Sequence, residues 1–215
     1  MPDNHPMDST QNGTNTATGL SRFPYGRWLA RLTVDGGWLW VLMLLTHELG
    51  HGLAAWLTGG EVVSTDLRPG ALGHTLVEPN PHPHWVVWGG FLSGCLLPLG
   101  AWAAIHRAVP RIAGDLRLLV GFCLLANGAY LAAGGGESLT DTGVLLSLGW
   151  PYPVLIAIGL LLAIPGYLLC RRELGLRMTA VRTGGIGWAS ITVRWLALAI
   201  WVAGQAAIAA ALAAE

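Results

Sequence analysis

The sequence predicts an all-α polytopic membrane protein: about five transmembrane helices, a short re-entrant helix and a small membrane-surface β-hairpin. Three observations predict it. Of 215 residues, 53% are hydrophobic and 11% charged, whereas charged residues make up about 25% of an ordinary soluble domain. Five apolar segments lie at roughly 36–58, 85–106, 116–133, 152–170 and 192–213, each near the ~20 residues that a spanning helix requires. Finally, the arginines alternate between successive connectors, as they do when a chain crosses a bilayer repeatedly.

The alternation assigns a direction to each span. Arg22, Arg27 and Arg31 precede the first; Arg68 alone lies between the first and second. Arg107, Arg111 and Arg117 surround the next connector, and none lies between Gly134 and Pro151. Arg171, Arg172, Arg177, Arg182 and Arg194 gather around the last. Eleven of the twelve basic residues therefore fall on one side, which the positive-inside rule makes the cytoplasm, with the N-terminus inside and the C-terminus outside. A reporter fused at residue 75 is expected to read as external; a cytoplasmic signal there overturns this topology.

The connectors between spans carry local structure of their own. Residues 59–78 hold short β-prone runs around Pro69-Gly70, the pattern of a hairpin against the membrane surface. After Gly134-Gly135-Gly136, Ser138 is placed to cap a short apolar helix over 138–149, which Pro151 interrupts. Irregular backbone at membrane depth survives only where protein or a water-filled cavity covers it, so this helix is expected to enter the bilayer partway. Residues 1–20 are polar, without the basic-then-apolar order of a cleavable signal, and read as a disordered tail before a single integral-membrane domain over 21–215.

Composition excludes several functions. Zero formal net charge and the lack of a basic cluster argue against nucleic acid as a partner. Cys95, Cys123 and Cys170 are odd in number and each sits in apolar sequence, so neither a disulfide framework nor a CxxC metal pattern is present. An arginine-only basic set, with abundant Ala, Gly and Trp, points to a high-GC bacterial genome and hence to the inner (plasma) membrane.

Inside the first span lies His47-Glu48-Leu49-Gly50-His51, an HExxH motif. On a helix the two histidines share a face, about 6 Å apart along the axis. That spacing suits two imidazole ligands on one Zn²⁺, with Glu48 beside them as general base. Three ionisable groups at such depth are costly unless they act together.

A catalytic zinc site usually has three protein ligands. Asp115, Glu173 and His106 lie among arginines on the opposite predicted side; His82 and His84 sit in a stiff proline-rich connector, and His74 in the presumed hairpin. Glu137 and Asp141 remain, the only acids between Asp115 and Glu173. Asp141 lies deeper in the apolar pattern and is the expected third ligand, with Glu137 the alternative. Asn127, in the third span, offers either an amide to the site or a hydrogen bond to a neighbouring helix.

Together these features resemble the site-2 protease family of intramembrane zinc metalloproteases, in particular its compact prokaryotic-type members. The HExxH at 47–51 matches the family motif, and Gly52 to Gly60 resembles the way such helices end in small residues and Gly-Gly. The resemblance implies that a distant aspartate completes the site; its counterpart is Asp141 in Thr140-Asp141-Thr142-Gly143, with one residue inserted before the glycine. Gly89-Gly90-Phe91-Leu92-Ser93-Gly94 keeps the small residues of a further family motif but lacks its proline and asparagine. The implied function is hydrolysis of peptide bonds in membrane-embedded protein or peptide substrates, with a regulatory membrane partner in the absence of any inserted regulatory domain. The alternative that the missing proline–asparagine pair leaves open is a catalytically inactive homologue acting as a membrane scaffold or chaperone.

Overall fold

A computed structural model describes residues 24–67, 73–136 and 140–212 of the chain. In order, it contains α1 (Tyr25–Leu57), β1 (Val62–Asp66), β2 (His74–Val77), α2 (Pro83–Ile105), α3 (Pro110–Ala133), α4 (Asp141–Ser147), α5 (Tyr152–Arg182) and α6 (Trp188–Leu212). A 3-10 turn over Gly134–Gly136 links α3 to the segment before α4. Five of the helices are long and apolar enough to cross a membrane. The all-α polytopic architecture expected from the sequence is therefore present. The expected tail over 1–20, the Ser138 cap and Glu137 lie outside the described residues.

The helices run past the apolar windows, furthest at two ends. α1 begins at Tyr25 and α5 continues to Arg182, although the apolar segments end near residues 36 and 170. The reason is charge pairing. Arg31 Nε donates to Asp35 one turn along α1 at 2.7 Å, and Arg177 of α5 donates to the same carboxylate at 2.6 Å. Asp115 of α3 receives Arg177 and Arg194, the latter from α6. Arg117 adds a 2.7 Å ion pair to Glu173 between α3 and α5. Seven charged groups thus join four helices at one end of the bundle, and a paired charge no longer obliges the helix to stop.

Helix packing follows small residues, as it does where lipid removes a hydrophobic drive between helices. Gly128 of α3 and Gly159 of α5 touch so closely that a Cβ on Gly128 would stand 2.5 Å from the Gly159 carbonyl oxygen. α6 packs mainly on α1 through a cluster of Val34, Ile191 and Leu198, and Trp38 Nε1 donates to the Arg194 carbonyl at 3.2 Å. The other core cluster lies at the opposite end: Val87, Phe91, Leu131, Leu145 and Leu155, drawn from α2, α3, α4 and α5.

That second cluster explains α4. Seven residues are too few to hold a helix alone, but Leu145 is fully buried among its neighbours. Thr140 caps the helix by accepting the Gly143 N–H at 3.0 Å. Thr142 donates to the Tyr130 carbonyl at 3.1 Å, tying the first turn to the end of α3. The helix therefore begins at Asp141, capped by Thr140.

The two strands form one antiparallel pair, with Thr65 opposite Thr75 and Asp66 opposite His74. The hairpin expected over 59–78 is present, and β2 lies against α1 at the level of Glu48.

Candidate metal centre

α1 presents His47, Glu48 and His51 on one buried face. Their imidazole nitrogens and a carboxylate oxygen lie within 4.8 Å of one another. Asp141, at the first position of α4, brings Oδ2 to 2.8 Å from His47 Nε2 and 3.3 Å from His51 Nε2. The Glu48 carboxylate is nearby but turned toward the hairpin, where Thr75 Oγ1 donates to its Oε2 at 2.8 Å. The two histidines and Asp141 form the tighter triangle.

The other ring nitrogens fix the tautomers. His51 Nδ1 lies 2.8 Å from the Val86 carbonyl; a carbonyl only accepts, so Nδ1 carries the proton. Asn127 Nδ2 donates to the Cys123 carbonyl at 2.9 Å, which leaves Oδ1 facing His47 Nδ1 at 2.7 Å. His47 must therefore donate from Nδ1 as well. Both Nε2 atoms then present lone pairs, and they converge on a carboxylate oxygen that is also an acceptor. Three acceptors aimed at one point fit a cation, and ring N–H bonds to a carbonyl and an amide are how metal-binding histidines are oriented.

Gly90 makes the space. A Cβ there would stand 2.5 Å from His51 Nε2 and 3.0 Å from His47 Nε2, so α2 can cross α1 at this height only with hydrogen at that position. The glycines of 89–94 thus bring helices together around the centre. Phe91 and Tyr130 pack edge-on to the His47 ring, with centroids 5.4 and 6.2 Å away. The centre opens on a cavity of about 510 Å³, lined by apolar side chains such as Trp40, Met43, Leu76 and Val144 and roofed by β2.

The remaining candidates lie elsewhere. His106 caps the far end of α2, Asp115 and Glu173 belong to the ion pairs described above, and His84 accepts from Trp150 Nε1 at 3.2 Å. His74 lines the cavity without joining the triangle. Asn127 bonds the neighbouring helix, as one of its two readings had it, and the group it bonds is His47 itself. Sequence reasoning missed Thr75, Tyr130, Gly90 and the Val86 carbonyl. Only Gly90 carried a signal, as a small residue in a glycine-rich run.

Spanning helices enclosing a His–Glu–His cluster, buried yet open to a cavity, define an integral membrane protein with a centre able to hold a metal. Residues 29–132, which include the whole HExxH, match the family model described as Peptidase M50B-like. The likeness to that peptidase family spans just under half of the chain and ends before Asp141. No curated protein and no solved structure matches the chain.

Proposed function

We propose that the chain is an intramembrane zinc metalloendopeptidase that hydrolyses peptide bonds of membrane-embedded substrates. The observation that carries this reading is the convergence of His47 Nε2, His51 Nε2 and Asp141 Oδ2 beside Glu48, at the wall of an apolar cavity. A tetrahedral metal accepts three such ligands and keeps one position open. Zinc bound there supplies Lewis acidity, polarising a carbonyl and favouring attack by water near neutral pH.

The protein's own groups do the rest. Glu48 takes the proton from the attacking water and hands it to the leaving amine. Asn127 and the Val86 carbonyl keep both Nε2 atoms free and aimed. The apolar walls suit an uncharged segment of a transmembrane substrate. Such a segment hides its amides in a helix, so it must unwind locally before attack, and the hairpin offers a strand edge to hold it extended. The arginine alternation and the composition support a bacterial inner-membrane location with the N-terminus cytoplasmic and the centre in the outer half of α1.

The test is a zinc count on purified protein, with cleavage of a model transmembrane substrate. Asp141→Asn is expected to lower zinc affinity by at least the roughly 10–100-fold typical of losing a supporting residue around a metal. Unchanged zinc binding in Asp141→Asn removes that residue from the ligand set. Stoichiometric zinc without cleavage of any membrane substrate favours the inactive scaffold, and absence of zinc sinks the enzyme reading.

A further inference from the structure

Accepting the protease reading, the geometry points to Thr75 of the hairpin as the positioning residue for the Glu48 general base. The hydroxyl has one proton. The Glu48 carboxylate receives it at 2.8 Å, a shorter contact than the 3.4 Å to Thr65 Oγ1 on the paired strand. A hydrogen bond to an ionised acceptor is also stronger than one between neutral hydroxyls.

The strand comes to Glu48 for reasons visible in its neighbours. A Cβ on Gly73 would stand 2.9 Å from Glu48 Oε1 and would overlap Leu44. The start of β2 therefore lies directly on this face of α1, so close that a larger residue there would have to displace the Leu44 and Glu48 side chains. Two residues on, period-two alternation returns the Thr75 side chain to the same face; His74, between them, is exposed. With Oε2 fixed by Thr75, the carboxylate plane is set and Oε1 is left for the attacking water. A long carboxylate side chain otherwise samples several rotamers, and a general base must sit within hydrogen-bond reach of the proton it takes. Thr75 touches no reacting atom; it acts through Glu48.

The experiment uses the full-length, zinc-loaded protein in detergent and a model transmembrane substrate. Thr75→Val keeps shape and β-propensity but removes the donor, and Thr75→Ser keeps the donor. The expected result is a fall in kcat of about ten- to a hundredfold for Thr75→Val, the range for losing one hydrogen bond to a charged group. KM and zinc content should stay near wild type, and Thr75→Ser should recover most of kcat. Wild-type kcat in Thr75→Val overturns the inference. So does a rise in KM alone, which would make Thr75 a substrate contact, or equal impairment of the valine and serine variants, which would make it a packing residue. A zinc-loaded wild type that cleaves nothing overturns the protease reading and this inference together, whereas an active wild type with an unaffected Thr75→Val overturns this inference alone.

Discussion

Glu48→Gln is expected to lower kcat on a model transmembrane substrate by about 10²–10⁴-fold, the usual contribution of a positioned acid–base group, while zinc content stays at the wild-type level. The substitution is nearly isosteric, which matters because Glu48 is 3% exposed and has no room to relax. An amide oxygen can still accept from Thr75, so the hairpin keeps its contact. What disappears is the ability to take a proton. His47, His51 and Asp141 are untouched, so metal retention and turnover should separate cleanly. Cleavage at the wild-type rate would remove Glu48 from the chemistry. Loss of zinc together with activity would instead place it among the ligands, a distinction worth making because its carboxylate lies within 4.8 Å of both imidazoles.

Much of this centre was legible in the sequence because its heart is local. His47 and His51 are one helical turn apart, so their common face follows from helix geometry alone. Asp141 is 94 positions from His47, yet it could be singled out by elimination, because so few acids occur in apolar sequence. The helices were legible for the same reason: apolar length is a one-dimensional property. What escaped depends on which surfaces meet. Thr75 is an unremarked threonine in a polar connector until β2 folds onto α1. Asn127 bonds His47 across 80 positions, and an amide in a spanning helix announces only that it needs a partner. Asp35 escaped most completely. Its pairing with Arg31 is local, one turn along α1, but Arg177 reaches it from 142 positions away, so a span begun at the apolar segment near residue 36 left out the acid that lets the helix continue.

That acid carries the second large expectation. Asp35→Asn should destabilise the folded protein by about 3–5 kcal/mol, the cost of breaking a buried ion pair by removing one partner. For a chain of this length that corresponds to a fall in Tm on the order of 10 °C, read by thermal unfolding in detergent. Asp35 accepts from Arg31 at 2.7 Å, Arg177 at 2.6 Å and Arg194 at 3.4 Å. Its neutralisation leaves three guanidinium groups facing only Asp115. The loss is therefore mainly the penalty of uncompensated positive charge, not the disappearance of one attraction. This can be separated experimentally: adding Arg31→Met to Asp35→Asn removes one orphaned cation and should recover part of the stability, although it deletes a second member of the cluster. Glu61→Gln, at an exposed connector position, should change stability by no more than about 0.5 kcal/mol. A Tm for Asp35→Asn as close to wild type as that of Glu61→Gln would show that the cluster is solvated and contributes little. A double variant less stable than the single one would show instead that direct attraction, not orphaned charge, dominates. The cluster sits at the opposite end of the bundle from the metal centre, so either outcome should leave zinc content unchanged in whatever fraction remains folded.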